Sequence, residues 1–193
     1  VEGESIGIKT AMQLYAEEDR NYLRSCIQKA YNRLAKQYDP IVIEGAGSIS
    51  EMNLLKQDLV NMSMARYANA SVLLVADIDR GGVFASCYGS IMLQSPHDRE
   101  RIKGIIINKF RGDARLFDEG RKMMESYCGV PVLGVIPYFD DIVIEEEDTL
   151  HGDSPDNELL NDRNFREKQY DLLANHVRKY LDIDALKKLM KDE

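Results

Sequence analysis

Glu44 is the first residue of this chain whose type and position could do chemistry. It follows the apolar, β-branched run Ile41–Ile43, and Gly45 and Gly47 come within three residues after it. Such a run predicts a buried parallel strand that delivers the carboxylate to the ligand-binding edge of a sheet. A carboxylate there, beside glycines that let a ligand approach the backbone, suits a magnesium ion shared with phosphates. A loop or helix-capping carboxylate is the alternative, and the spacing alone leaves both open.

Asp77 and Asp79 form a second group of candidate residues, at the end of the next apolar run. Residues two apart that leave a strand lie on the same side, so both carboxylates could hold a metal or orient a substrate. Arg80 could bind a phosphate or a carboxylate through its planar guanidinium group. Gly81 and Gly82 would open the following helix, whose free N–H groups attract anions. The alternative is an Asp–Arg surface pair with a helix cap.

A third group follows the apolar run at 104–107. Asn108 offers both a donor and an acceptor, which suits the edge of a purine base, although asparagine is also common in turns. Lys109 and Arg111 would make the mouth of such a site cationic. A fourth apolar run, at 130–137, completes the series.

The elements that must position these residues follow from the spacing of apolar side chains. The predicted strands lie at 41–43, 72–76, 104–108 and 130–137, and the predicted helices at 10–36, 56–68, 82–94, 114–127 and 165–190. Strands and helices alternate with connections long enough for crossover helices, which predicts an α/β fold with a three-layer, mainly parallel sheet. Because the carboxyl ends of parallel strands meet at one edge, we expect the candidate residues to lie together there.

Composition excludes several classes of function. The formal net charge of −8 argues against a nucleic-acid partner, because a phosphate backbone attracts basic proteins. No apolar run approaches the ~20 residues that span a bilayer, and no signal peptide opens the sequence, so we expect no membrane partner. Cys26, Cys87 and Cys128 are scattered without the spacing of a metal site. We therefore expect three packing residues in a reduced, cytoplasmic protein.

Three longer stretches carry a family resemblance. They read YDPIVIEGAGSISEMNLLKQDLVNMSMARYANASVLLVADIDRGGVFAS, KGIIINKFRGDARLF and GVPVLGVIPYFDDIVIEEED. Together they resemble cobyric acid synthase, the glutamine-dependent amidotransferase family of cobalamin biosynthesis, over roughly residues 1–148. In wider outline the chain is similar to the dethiobiotin-synthetase-like branch of the P-loop ATPases.

The resemblance implies a chemistry as well as a fold. It implies a parallel sheet that binds Mg²⁺-ATP and a carboxylate of a corrinoid similar to cobyrinic acid a,c-diamide. In such enzymes the carboxylate is phosphorylated, and ammonia derived from glutamine then displaces phosphate to give an amide. The enzyme class is an ATP-dependent C–N ligase.

The resemblance also implies roles for individual residues. Glu44 in EGAGS matches the magnesium-binding acid of this branch. Asn108 in INKF matches the position that reads adenine, and Lys109 beside it is expected in the same cofactor site. Gly134 and Pro137 in PVLGVIP match the loop that walls the base.

Two further groups are matched in the same way. Asp77, Asp79 and Arg80 in DIDRGG match a stretch near the acyl-phosphate chemistry, and we expect them to be catalytic. The polar positions matched near the corrinoid side are Asn53, Asp58 and Asn61.

The departures from the family pattern lead to expectations about domains. No Gly-x-x-x-x-Gly-Lys-Ser/Thr motif occurs in these residues, and His151 resembles a glutaminase histidine with no nucleophilic cysteine to activate. We expect a partial synthetase domain at 1–148 that is incomplete at its N-terminus. A linker at 149–164 and C-terminal helices at 165–193 would follow, the latter resembling the end of the family's glutaminase domain.

Two hypotheses follow for the function of the chain. One is the synthetase core of an amide ligase, inactive as this isolated chain; the other is a non-catalytic binding or assembly module that kept the fold. A third hypothesis is a ligase that acts on another small carboxylate. The motif DIDRGG fits the corrinoid branch better than this alternative. We also expect an exposed sheet edge that pairs with another chain, and a second copy of the same chain is one candidate partner.

Overall fold

A computed structural model describes residues 1–8, 10, 17–144, 159 and 161–191. The predictions for His151, for the acidic run at 145–148 and for most of the 149–164 linker lie outside the described residues. The chain divides into two compact units, one of Val1–Val72 with Gly89–Lys103 and the other of Leu73–Tyr88 with Gly104–Glu193. No span of these described residues forms a helix long and apolar enough to cross a bilayer.

The described elements alternate between strands and helices along most of the chain. The strands are β1 (Val72–Asp77), β2 (Ile102–Phe110) and β3 (Val132–Pro137). The helices are α1 (Glu17–Ala35), α2 (Met62–Tyr67), α3 (Val83–Met92), α4 (Pro96–Arg101), α5 (Asp118–Cys128), α6 (Arg163–Tyr180) and α7 (Ile183–Leu189). Short 3₁₀ turns cover Met52–Gln57 and Ala114–Phe117.

A parallel sheet in the order β1-β2-β3 organises the second unit. Strand β2 lies in the middle, and its Ile105 and Ile107 are fully buried. Val132 of β3, which pairs with Ile105, is also fully buried, as is Met124 of α5. Helices α5 and α6 pack against β3. The α/β prediction is therefore confirmed, with β2 apolar on both faces as a covered central strand requires.

The predicted strand at 41–43 is wrong. Residues 41–46 form irregular coil, and the described residues contain a three-stranded sheet rather than a four-stranded one. Val42 is 81% exposed and Ile43 is 39% exposed. Apolar, β-branched residues favour a strand, but a strand also needs a neighbour for its N–H and C=O groups. No described strand pairs with this segment.

The predicted helix at 56–68 is also wrong in its extent. Asp58 interrupts it, because its side chain accepts hydrogen bonds from the N–H groups of Val60, Asn61 and Ser63. A side chain that binds the first free N–H groups in this way marks the start of a helix rather than its middle. The regular helix α2 accordingly begins at Met62.

The helix predicted at 165–190 is divided in two at Leu181 and Asp182, which lie between α6 and α7. Asp182 caps α7 by accepting the N–H of Ala185, and its own N–H donates to the Leu133 carbonyl at 2.8 Å. This junction lies close to β3 at Gly134. A Cβ atom on Gly134 would lie 2.5 Å from the Tyr180 carbonyl oxygen, so only glycine permits the approach.

An ion pair between buried Asp98 and the more exposed Arg66 holds α2 to α4 in the first unit. Asp98 is 5% exposed and accepts hydrogen bonds from Arg66 Nη1 at 2.9 and 2.8 Å and from Ser95 Oγ at 2.9 Å. Burial by itself raises the pKa of Asp98, but the hydrogen bonds from Arg66 and Ser95 and the charge of Arg66 outweigh it, so the pKa is lowered. The carboxylate is therefore ionised at neutral pH.

The buried face of the sheet should carry most of the stability of the second unit. We expect Val132→Ala to lower the free energy of unfolding by about 2 kcal/mol, because it removes two buried methyl groups and leaves a cavity. The same change at Val75, which is 59% exposed on β1, should cost less than about 0.5 kcal/mol. Urea denaturation of both variants tests this, and equal losses would contradict the assigned burial.

The lowered pKa of Asp98 makes stability depend on pH. A carboxyl with a depressed folded-state pKa stabilises the fold above its ordinary value of 3.8 and loses that contribution as the pH falls through the folded-state value. We expect Asp98→Asn to cost roughly 1–2 kcal/mol at pH 7 and progressively less below pH ~4. Thermal unfolding of both proteins between pH 7 and 2 would show the gap closing, whereas a constant gap would contradict the ion pair.

Candidate functional site

Asp77 ends β1 at the carboxyl edge of the sheet, where two cations meet it. Lys109 Nζ lies 3.2 Å from Asp77 Oδ2, and Arg80 Nε lies 3.7 Å from the same oxygen. Asp77 Oδ1 accepts the Asp79 N–H at 2.9 Å. Partial burial raises the pKa of Asp77, but the hydrogen bonds from Lys109 and Asp79 and the charges of Lys109 and Arg80 lower it overall. Asp77 is thus an ionised carboxylate held in one orientation.

Asp79 forms a second ion pair at the same edge. Arg111 contacts both carboxylate oxygens of Asp79, with Nη2 at 3.0 Å from Oδ2. This hydrogen bond is the main reason that the pKa of Asp79 is lowered. The Arg111 guanidinium group also lies over the Tyr138 ring, 4.4 Å from its centroid, which adds a cation–π contact. Sequence reasoning did not find the Tyr138 contact, although Tyr138 directly follows PVLGVIP.

Asn108 lies near the carboxyl end of β2, at the same edge, where the pairing of β2 with β3 is irregular between Ile107 and Phe110. Its Oδ1 accepts the Lys109 N–H at 2.9 Å, and Lys109 has φ 60°, which is uncommon for a residue other than glycine. The Asn108 carbonyl accepts the Ile78 N–H at 3.1 Å, which joins the ends of β1 and β2. The Asn108 Nδ2 group makes no hydrogen bond within the part of the chain that the structure describes.

The end of β3 is held by α6. His176 Nε2 donates to the Pro137 carbonyl oxygen at 2.9 Å, and the His176 ring stacks on Phe139 with centroids 4.4 Å apart. Pro137, the last residue of β3, is therefore at the predicted edge, and its carbonyl is held by α6. Gly134 lies three residues earlier, buried against the α6–α7 junction rather than at the edge.

Glu44 belongs to the first unit, on an exposed loop. Its carboxylate makes no hydrogen bond or ion pair to any other described residue, whereas the nearby backbone is tightly held. Asn61 binds the Ala46 peptide group through both ends of its amide, and Asp58 in turn binds the Asn61 N–H. The structure thus gives Asp58 and Asn61 contacts within the protein, and Asn53 is exposed on the 3₁₀ turn.

The donor set is compatible with magnesium but not with an all-protein metal cage. Among the described residues no three His, Cys, Asp or Glu side chains come together as a metal cluster. Mg²⁺ commonly takes only one or two carboxylates and fills its other positions with water and phosphate oxygens. A free carboxylate on an ordered loop, as at Glu44, fits that pattern.

The charges at the sheet edge determine what can bind there. Two ionised carboxylates, Asp77 and Asp79, face three cations, Arg80, Lys109 and Arg111. The side chain of Arg80 is 86% exposed and that of Lys109 is 48% exposed, so both can reach a ligand without leaving a buried position. The structure brings together Asp77, Asp79, Arg80, Asn108 and Lys109 as predicted, and the arrangement suits an anionic group such as a phosphate or a carboxylate.

Comparison with protein-family models gives one match, to the AAA domain, over residues 9–146. This range covers more than half of the chain, including every residue of the sheet edge. No solved structure matches the chain.

The curated proteins that this chain is similar to include several cobyric acid synthases. A cobyric acid synthase of Phocaeicola vulgatus is 63% identical over 148 residues, covering 77% of this chain and 30% of the relative. The Bacteroides fragilis protein of the same name is 50% identical over 191 residues, covering 96% of this chain and 37% of the relative. A third, from Parabacteroides distasonis, is 59% identical over 129 residues, or 67% of this chain and 26% of the relative.

These matches agree with the α/β fold and with the P-loop NTPase-like type predicted from the sequence. The chain spans about a third of the length of the first two curated relatives that it matches. It belongs to the AAA domain family, and the curated relatives that it resembles in that family are cobyric acid synthases.

Proposed function

We propose that this chain forms part of the synthetase region of a cobyric acid synthase. The reaction is the ATP-dependent amidation of corrinoid side-chain carboxylates. A carboxylate oxygen attacks the γ-phosphorus of ATP, and the bond to ADP breaks. Ammonia derived from glutamine then attacks the acyl carbon, and the C–O bond to phosphate breaks, which releases phosphate and a proton and leaves the amide. The substrate would resemble cobyrinic acid a,c-diamide.

The observation that carries the proposal is the charge network at the carboxyl edge of the sheet. Phosphoryl transfer to a carboxylate brings several negative charges together, and catalysis consists mostly of positioning and charge neutralisation. Arg80 and Lys109 supply mobile cations, while Arg111 is held by Asp79 and Tyr138. In the free protein Asp77 keeps Lys109 and Arg80 beside the site until an anionic ligand takes over part of their contacts.

Nucleotide binding is proposed at the same edge. The Nδ2 group of Asn108 has no hydrogen-bond partner in the described part of the chain and can donate to a ring nitrogen of adenine, and its half-buried position limits competition from water. Pro137 would contact the base from the end of β3. Gly134 would act by setting the path of β3, since it admits the α6–α7 junction next to the strand.

Glu44, in the first unit, is the proposed magnesium ligand. When bound, the ion would supply positive charge that offsets the charge of phosphate oxygens. The Glu44 carboxylate is exposed and has no ion-pair partner among the described residues, which supports this assignment, because it can bind a cation without first breaking such a pair.

A non-catalytic assembly module is the second candidate function. The exposed apolar segment Ile41–Ile43 favours it, since Val42 is 81% exposed and would be covered in a larger assembly. The two candidates differ in one measurable property, namely the binding of Mg²⁺-ATP. A chain that folds and binds no nucleotide would favour assembly over ligase chemistry.

Replacing Glu44 should weaken the binding of Mg²⁺-ATP. We expect Glu44→Gln to raise the Kd at least tenfold, because the amide keeps the size of the side chain and removes its charge. Isothermal titration of the 193-residue chain with Mg²⁺-ATP measures this. Glu119→Gln, which changes a side chain that is 91% exposed on α5, is the matched control and should leave the Kd unchanged. Equal affinity of the Glu44 variant and the unchanged chain would refute the magnesium assignment.

Replacing Lys109 should weaken nucleotide binding and make it less sensitive to salt. Lys109→Asn removes the cation while keeping a residue that tolerates the left-handed backbone at this position. We expect a Kd about tenfold higher at low salt and a smaller change of Kd between 50 and 300 mM salt, since a charged contact is screened. Lys122→Asn, which changes a side chain that is 75% exposed on α5, is the control. An unaltered salt dependence would place the phosphates elsewhere.

A further inference from the structure

The loop that carries Glu44 is fastened by side chains where a neighbouring strand would otherwise hold it. Asn61 Oδ1 accepts the Ala46 N–H at 3.0 Å, and Asn61 Nδ2 donates to the Ala46 carbonyl at 2.7 Å. One side-chain amide thus satisfies both polar groups of Ala46, two residues after Glu44. This pairing reproduces the two hydrogen bonds that a residue exchanges with a partner strand in a sheet.

Asn61 is itself held in place from two directions. Asp58 Oδ1 accepts the Asn61 N–H at 2.8 Å, and Asp58 Oδ2 accepts the Ser63 N–H at 2.8 Å. Met62, the next residue, is 1% exposed and anchors the start of α2 in the core of the first unit. The Asn61 amide is therefore part of a rigid structure and not a mobile surface group.

The far end of the same loop is fastened independently. Gln94 is 3% exposed, and its Nε2 donates to the Ile49 carbonyl at 2.8 Å. The Ser50 and Ser90 hydroxyl groups lie 2.5 Å apart. The loop at residues 44–50 is therefore held to the rest of the first unit at two places, Ala46 and Ile49–Ser50.

We propose that Asn61 is a positioning residue for Glu44, which rests on the magnesium role proposed above. Asn61 fixes the backbone at Ala46, two residues after Glu44, so that less of this backbone has to be ordered when Mg²⁺-ATP binds. Fixing a ligating group in advance lowers the conformational entropy lost on binding. Residues that orient a metal ligand in this way typically change metal affinity by about 10–100-fold when they are replaced.

Gly45 provides a sharp test of this arrangement. A Cβ atom at Gly45 would lie 2.3 Å from Asn61 Oδ1, so alanine there forces the amide away from Ala46. Gly45 has no left-handed φ, so alanine meets no backbone strain of that kind. Gly45→Ala should therefore have the same effect as Asn61→Ala, and the double variant should be no worse than either single one.

The experiment compares the unchanged chain with Asn61→Ala, Gly45→Ala and the double variant. Hydrogen exchange of the Ala46 amide, followed by NMR, reports the loop directly and requires no ligand. Isothermal titration with Mg²⁺-ATP reports the consequence for binding. Gly89→Ala, at a helical position with open space around the added Cβ, and Asn175→Ala, at an exposed site, are the matched controls.

We expect Ala46 exchange to be roughly tenfold faster and the Kd at least tenfold higher in all three variants, with the controls unchanged. Faster exchange with an unaltered Kd would overturn the positioning role, as would additive losses in the double variant. If the unchanged chain does not bind Mg²⁺-ATP, the proposed function fails together with the role of Asn61 toward magnesium. Binding of Mg²⁺-ATP by the unchanged chain and by Asn61→Ala with the same Kd is a different result, which overturns only the role of Asn61.

Discussion

Burial of the central strand β2 is the constraint on which the second unit depends. Ile105 and Ile107 are fully buried, and Val132 of the neighbouring strand is buried with them. A strand covered on both faces can place polar side chains only at its ends, because unpaired polar groups are costly in the interior. The polar residues at or just after the carboxyl ends of β1, β2 and β3 are therefore confined to one edge of the sheet. The position of the candidate site at the sheet edge thus follows from the burial of β2.

The ion pairs at that edge are partly exposed, so they act mainly by orientation and contribute little to stability. Asp79 and Tyr138 hold Arg111 from two sides, and Asp77 gathers Lys109 and Arg80. The loop after β3 has further support from His176, which joins helix α6 to the Pro137 carbonyl. The C-terminal helices thus take part in ordering the edge, although their own sequence contains none of the predicted site residues.

In the first unit, side chains rather than strand pairing hold the backbone that carries Glu44. Its apolar segment Ile41–Ile43 has no strand partner in the described structure, yet the backbone after it is ordered. Side-chain amides of Asn61 and Gln94 supply the hydrogen bonds that a ladder would provide. Side chains that bind backbone groups compete with regular secondary structure, and here they specify a loop that presents a carboxylate to solvent.

The sequence by itself determined the α/β class, three of the four strands and the group of residues at the sheet edge. It could do so because period and composition are local properties, and because parallel strands necessarily bring their carboxyl ends together. It did not determine whether Ile41–Ile43 pairs as a strand, since pairing depends on a neighbour that local composition does not specify. Only the tertiary structure showed that Asn61 clamps the Glu44 loop, that Tyr138 supports Arg111 and that Gly134 packs against the α6–α7 junction. In each of these contacts the two residues are far apart in the sequence and are brought together only by folding. Local patterns in the sequence therefore do not predict the contacts.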